Sequence, residues 1–456
     1  MSTIKTFGEV DERSLAQLRR CMERGDAEFG VLCADHHPGY AQPIGGAIAY
    51  EGYVSPSGVG YDIGCGNKAV LTDMSASDLA ALGGAQAVVP EIARRISFGM
   101  GVPSRERADH PVLEQIAGAP FEPQRKLARL AREQLGTVGS GNHYVNLFDD
   151  ERARVWVGVH FGSRGFGHRT ASGFLALAQG LPFDARAPEG EMDSDPVLLP
   201  VESDLGRSYI EAMRLAGEYA YAGRDVVVDK VLQILGAGAL HEVHNHHNYA
   251  WREEHFGRSF WVVRKGCTPA QPGQEGFVGA SMGGESVILE GLEASQSREA
   301  LYSTVHGAGR VMSRTEAAGR VRRRTAYRCP LHDCDWSVPA KRYVGERCPR
   351  RIQVASIFSG PSPCAPLGDV QRNAVAGATQ LIAEDFRFVV GKAARCLDTF
   401  DGEPLGMLPG LQLLVQWHGG KLGNAKRSRA SFLRGEYLFP ANPNLFSPVR
   451  LLRLCV

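Results

Sequence analysis

Residues 154–165 read Arg154-Val155-Trp156-Val157-Gly158-Val159-His160-Phe161-Gly162-Ser163-Arg164-Gly165. The run Arg154–Val159 is β-branched and apolar, which predicts a buried strand. Glycines then break it and leave a histidine at its end. Ser259–Val263 (SFWVV) has the same texture. Between the two lies Leu205–Leu235, with alanines and apolar residues at helical spacing, which predicts a long helix. Shorter helical patterns cover Ser14–Arg24 and Arg125–Leu135, and another is read over Asp369–Cys396. Strands and helices mix in this order without a regular βαβ winding, so the expected fold class is mixed α/β (α+β). No period of 20–50 residues recurs, which excludes a solenoid or propeller. Neither GxGxxG after a strand nor GxxxxGK[ST] is present, so a Rossmann or P-loop site is not indicated.

The chain has 456 residues, 43% of them hydrophobic and 22% charged, enough for a sizeable core. Lys+Arg number 51 and Asp+Glu 50, so no global field drives the protein onto nucleic acid or membrane. Met1–Val10 lacks the apolar core of a secretory signal. Val231–Leu240, the longest nearly apolar stretch, is far short of the ~20 residues that span a bilayer. The expected location is therefore cytoplasmic. In that compartment ten cysteines are better read as buried thiols, metal ligands or nucleophiles than as a disulfide framework. Glycine is abundant, 54 residues, which predicts many backbone positions that approach a ligand closely.

Five segments put a histidine or other candidate ligand beside small residues: Tyr61–Asn67 (YDIGCGN), Gly139–Tyr144 (GSGNHY), Val159–Gly165, His244–Tyr249 (HNHHNY) and Thr304–Arg310 (TVHGAGR). Asp62 and Cys65, three residues apart in a glycine-rich turn, can converge on one point. They read equally as a turn-former and a small buried hydrophobe. His143 and His160 flank or end strand-like runs. Four imidazoles fall within His241–His247, and on a helix His244 and His247 would share a face. A carboxylate, a thiol and several imidazoles together suit zinc, manganese, iron or cobalt better than magnesium or calcium. Their dispersal means that the fold, not a local finger, assembles the site. Gly273–Gly276 and Gly279–Ser286 (GASMGGES) supply free backbone N–H groups of the kind that bind phosphate oxygens. Arg264-Lys265-Gly266 could bring cations to the same cradle. His306, followed by Gly307, Gly309 and Arg310, has the access and nearby positive charge that a nucleophile attacking phosphorus needs.

In this order GYDIGCGN, GSGNHY, HFGSRGFGHR, HHNY, RKG, GASMGGES and HGAGRVMSR resemble the RtcB family of RNA ligases. Upstream, Asp35-His36-His37-Pro38-Gly39 resembles that family's Asp-x-His-x-Gly motif. The likeness covers residues 30 to about 325. It implies an RtcB-like fold with a central metal and nucleotide cleft over residues 1–325, followed by a Cys-rich segment at 326–349 and an atypical C-terminal region at 350–456. It further implies a GTP- and Mn²⁺-dependent enzyme of tRNA splicing or RNA repair. Such an enzyme joins 3′-phosphate or 2′,3′-cyclic phosphate RNA ends to 5′-hydroxyl ends. Carried over motif by motif, Asp62, Cys65, His143, His160 and His247 would hold two Mn²⁺ ions, with Cys65 bridging. His306 would attack the α-phosphorus of GTP and become guanylylated. The nucleotide would be met by Asn142, His143, Tyr144, Asn146, His247, Asn248, Gly279, Ala280, Ser281, Met282, Ser286, His306, Gly307, Ala308 and Gly309. Implied partners are RNA ends, GTP and an archease-type activator, with no membrane.

The sequence departs from the family pattern in places. The family's acidic residue three positions after the GxGNH histidine is Asn146, and the proline that opens its PGSMG turn is Gly279. The family's closing Lys-Gly, which helps to hold guanine, has no equivalent in Arg450–Val456. Cys329, Cys334 and Cys348 supply three ligands of a zinc ribbon, and His332 could be the fourth for Zn²⁺. Beyond about residue 349 the likeness ends, as a divergent lineage or an altered reading frame would produce. The alternative function is a degenerate relative that binds metal and nucleotide, or hydrolyses phosphate esters, without ligating. A non-enzymatic reading uses the seven arginines of Arg310–Arg328 as an RNA-binding patch.

Overall fold

A computed structural model of the chain describes residues 2–185, 193–280 and 286–307, with short strands at 326–328, 337–339, 356–358, 399–400, 403–404 and 450–454. The helix expected over Leu205–Leu235 spans Asp204–Leu235. The Ser203 side chain accepts the Gly206 N–H at its start, and Gly236, at φ +67°, ends it in the left-handed conformation. At 32 residues it runs for about 48 Å. Its first half, through Tyr209, Met213, Ala216 and Tyr219, lies in one apolar core. Its second half, through Val227, Val231 and Leu235, lies in another. One rod thus joins two cores.

Each core is built on a five-stranded sheet. The first sheet has the order Thr3–Thr6, Ala27–His37, Ile44–Tyr50, Arg258–Lys265, Asn248–His255, with only the first pair parallel. Alternation along Ile44–Tyr50 sends Ile48 and Tyr50 toward the helix. It sends Ala47 and Ala49 to a third core with Val31, Phe260 and Val262. The central strands are therefore buried on both faces, which accounts for their lack of polar alternation. The second sheet is antiparallel, in the order Ala239–His246, Gly66–Ser75, Arg154–Phe161, Tyr144–Asp149, Ser356–Phe358. Together the helices and mixed sheets give the α+β class expected from the sequence.

The histidine run is not helical. Ala239–His246 is a strand of the second sheet and Asn248–His255 a strand of the first, with His247 alone between them. His244 and His246 share a strand face by the two-residue period, and His247 stands at the crossing from one sheet to the other. The helical pattern read over Asp369–Cys396 and the cysteines Cys329, Cys334 and Cys348 lie outside the described residues. Among the described residues no helix is long and apolar enough to cross a membrane.

Candidate functional site

Strand ends meet where the two sheets adjoin. Cys65 immediately precedes the strand Gly66–Ser75, His143 precedes Tyr144–Asp149, and His160 is the penultimate residue of Arg154–Phe161. The sheet register sets Asn67 and Tyr144 on either side of His160. As a result Cys65 Sγ lies 3.8 Å from His143 Nε2 and 3.7 Å from His160 Nε2. Cys65, His143 and His160 are all buried and their donor atoms converge as a group that could hold a metal ion. Asp62 Oδ2 is 3.0 Å from His143 Nε2. A Cβ at Gly162 would lie 2.4 Å from Asp62 Oδ1, so only glycine there lets the carboxylate close on the cluster.

The third imidazole, His247, adjoins this group rather than entering it. The His247 ring stacks on His160 with centroids 5.1 Å apart and meets the His306 ring at 5.0 Å. Its backbone N–H donates to Cys65 O at 2.8 Å. His247 therefore stands between the Cys–His–His cluster and His306.

Hydrogen bonds orient the rings. Asn67 Nδ2 donates to Phe277 O and His306 O, so Asn67 Oδ1 must face His160 Nδ1, 2.6 Å away. This makes His160 Nδ1 the protonated nitrogen and leaves the Nε2 lone pair toward Cys65. Burial pushes the His143 pKa down and the Asp62 charge opposes it only in part. Burial, with His143 and His306 nearby, pushes His160 well down. Burial, then His306 and His160, does the same for His247. All three are neutral imidazoles at neutral pH, the form that ligates metal. Burial raises the Asp62 pKa, but His143, protonated in the acid range where the carboxylate titrates, more than offsets this as a charge and a hydrogen-bond partner and holds it well below the usual carboxylate range. Burial and Asp62 push the Cys65 thiol up. A bound divalent cation reverses that order and deprotonates a thiol outright. The donor set thus fits a borderline transition metal.

His306 follows the strand Ser303–Val305, which pairs with Cys267–Pro269. Asp35 Oδ2 accepts the His306 N–H at 3.0 Å and the Gly307 N–H at 3.4 Å, and lies 2.7 Å from His306 Nδ1. Burial raises the Asp35 pKa, yet the interactions with His306 bring it below the ordinary value, so the carboxylate is charged at neutral pH. Gly266, at φ +62°, leaves room for the ring: a Cβ there would stand 3.1 Å from His306 Nδ1. Opposite, Gly279, where the glycine-rich segment begins, forms an isolated bridge with Gly307.

The expected nucleotide-binding residues divide. Asn142 Nδ2 is 3.0 Å from His160 Nε2, and Tyr144 stacks on the His160 ring at 5.4 Å. Ala280 N donates to Ser286 Oγ at 3.2 Å. Asn248 Oδ1 accepts the Gly266 N–H. Asn146 sits farther along its strand, opposite Gly158, and its buried Oδ1 has no hydrogen-bond partner among the described residues. Ser281, Met282, Ala308 and Gly309 lie outside the described residues. Sequence reasoning did not single out Asp35 or Asn67 as site residues, although both stand in the quoted motifs. Lys265, expected to bring a cation to the glycine-rich cradle, instead has its Nζ buried against Tyr40 O and Ser57 O, and burial lowers its pKa to about 8.

The chain matches the family model described as tRNA-splicing ligase RtcB over residues 24–120 and 114–344. It is 33% identical to the RNA-splicing ligase RtcB of Escherichia coli over 320 residues, 63% of this chain and 75% of that protein. It is 29% identical to the tRNA-splicing ligase RtcB of Thermococcus kodakarensis, over 68% of this chain and 79% of that one. The corresponding protein of Archaeoglobus fulgidus is 30% identical, over 64% and 74%. With the family model matched over most of its length, the chain belongs to the RtcB family.

Proposed function

We propose that the protein is an RNA ligase that uses GTP and Mn²⁺ to join 3′-phosphate or 2′,3′-cyclic phosphate ends to 5′-hydroxyl ends through a guanylylated histidine. The observation that carries this reading is the line of side chains from the Cys65–His143–His160 cluster through His247 to His306. Cys65, His143, His160, Asp62 and His247 would hold manganese, which supplies charge neutralisation and orientation for phosphoryl chemistry. Membership of a family whose named relatives are RNA-splicing and tRNA-splicing ligases supports the same assignment.

His306 is the nucleophile in this reading. Asp35 fixes its backbone and faces Nδ1, which leaves Nε2 to attack the α-phosphorus of GTP and release pyrophosphate. The glycine-rich segment that begins at Gly279, bridged to Gly307, would offer backbone N–H groups to the phosphates. GMP then passes from His306 to the RNA 3′-phosphate, and the 5′-hydroxyl attacks that activated phosphate as GMP departs. A cyclic phosphate is first opened by water. Cellular roles in tRNA splicing or RNA repair, a cytoplasmic location and an archease-type activator belong to the same proposal.

Asn146 Oδ1, which stands where the family has an acid and has no hydrogen-bond partner among the described residues, favours a second reading: metal and nucleotide binding without full ligation. Incubation with Mn²⁺ and α-labelled GTP, then a denaturing gel, tests both. Labelled protein that transfers GMP to a 3′-phosphate RNA and yields joined product supports the ligase. Labelled protein without joined product supports the second reading, and absence of label refutes the covalent step.

A further inference from the structure

Arg224 lies near the middle of the long helix and is completely buried. Its Nη1 donates to Gly64 O at 2.9 Å and to Phe161 O at 2.6 Å. Its Nη2 is 3.0 Å from His246 Nδ1, and its Nε donates to His244 Nε2 at 2.8 Å. Three of these four acceptors stand one residue from a candidate ligand: Gly64 precedes Cys65, Phe161 follows His160, and His246 precedes His247. A single planar fork therefore reaches three chain segments that are remote in sequence.

The surroundings are built for this approach. The helix presents Gly217 and Ala220 to the Cys65 turn, so closely that a Cβ at Gly64 would meet Ala220 Cβ at 3.0 Å and Gly217 Cα at 3.2 Å. The Tyr221 ring lies against the His246 ring at 3.8 Å and against the guanidinium at 5.1 Å. His246 Nδ1 lies 3.0 Å from both Arg224 Nη2 and Gly64 O; burial and the Arg224 charge keep the His246 pKa well below the ordinary value. Burial lowers the Arg224 pKa to about 10, which leaves it charged at neutral pH. All four acceptors are neutral, and a buried cation without a hydrogen-bonded carboxylate is an expensive choice for packing alone.

We propose that Arg224 is the positioning residue of the metal centre, setting the spacing of the Cys65, His160 and His247 segments and through it the affinity for the cation. The inference rests on the proposed reading only in that these residues bind metal; it does not depend on ligation or on GTP. Arginine is required because two carbonyls and a ring nitrogen must be met at fixed angles, which a lysine ammonium on a flexible stem does not reproduce.

The test is Mn²⁺ binding by the full chain, stripped of metal and followed by titration calorimetry, in wild type, Arg224→Lys, Arg224→Met and His244→Ala. Both Arg224 variants should bind Mn²⁺ about 10–100-fold more weakly, the usual effect of removing a residue that orients ligands. His244→Ala removes the one acceptor not next to a ligand and should stay close to wild type. With Co²⁺ as the probe, the thiolate charge-transfer band of Cys65 should weaken or shift in Arg224→Lys while far-ultraviolet circular dichroism is unchanged. Wild-type Mn²⁺ affinity in either folded Arg224 variant would overturn the inference. So would an equal loss in His244→Ala, or failure of both Arg224 variants to fold, since either result would assign Arg224 to the core. Wild-type protein that binds no Mn²⁺ would remove the metal centre itself, an outcome distinct from all of these.

Discussion

Asp35→Asn is the sharpest probe of how His306 is held. The carboxylate accepts two backbone N–H groups, from His306 and Gly307, and lies 2.7 Å from His306 Nδ1. Asparagine is nearly isosteric. Because the one oxygen Oδ2 meets both backbone N–H groups and Nδ1, an amide oxygen in its place keeps all three contacts and loses only the charge. Losing the charge from such a contact costs up to about 3 kcal/mol, or roughly 100-fold in rate. Labelling of His306 should therefore slow by about 10–100-fold. The assay is single-turnover labelling with α-labelled GTP at saturating Mn²⁺, with bound metal measured in parallel. Bound metal should match wild type, because Asp35 is outside the Cys–His–His cluster. Wild-type labelling kinetics in the folded variant would refute the orienting role.

Other perturbations test the metal ligands, a buried ion pair and the arginine-rich stretch of the sequence. Cys65→Ala should abolish metal-dependent activity and Cys65→Ser should leave at most a trace, because a hydroxyl does not ionise at neutral pH whereas a metal-bound thiol does; normal metal content in both variants would exclude Cys65 as a ligand. Asn67→Ala frees His160 Nδ1 and should weaken Mn²⁺ binding about 10-fold or more, measured by calorimetry. Glu253 is buried against Arg264 and His255. Burial raises its pKa, but Arg264 more than offsets this and brings it down from 4.5 to about 2. Its depressed value contributes about 3 kcal/mol, present in full above about pH 5 and lost as pH falls toward 2. Urea titrations should show Glu253→Gln less stable at pH 7 and with a flatter decline between pH 5 and 3; an unchanged slope would contradict the pairing. Replacing Arg322, Arg323 and Arg324 by alanine should flatten the salt dependence of RNA binding by about 0.7 for each single-strand phosphate no longer neutralised, with His306 labelling unchanged; an unaltered slope would make these arginines a solvated face.

The parts of the molecule that were legible in the sequence are those governed by local rules. Leu205–Leu235 reads as a helix because apolar residues recur at helical spacing, and Gly236 ends it. Arg154–Val159 reads as a strand because β-branched residues crowd it. The histidine run was harder: a spacing of three between His244 and His247 suits a helix, whereas the chain there is extended, so His244 and His246 turn to Arg224 and His247 to the cluster. Arg224 carries no local signal, and the motifs that contain Asp35 and Asn67 do not name their partners. The roles of these residues depend on partners brought up by the fold, as when Asp35 meets His306 across 271 positions. The pattern of neighbouring glycines marks such a place only indirectly, by the close approaches that Gly162 and Gly266 permit.

The order of strands in the first sheet has a consequence for synthesis. Ile44–Tyr50 is flanked by Ala27–His37 on one side and by Arg258–Lys265 on the other. The second neighbour leaves the ribosome only after some two hundred further residues, roughly 10–40 s later at ~5–20 residues per second. For that interval the nascent chain carries an apolar strand with one open edge, which templates pairing with any other extended chain. Translation that stalls before residue 258 would expose this edge indefinitely, so truncated products should aggregate even though most of the second sheet and the long helix have already been made.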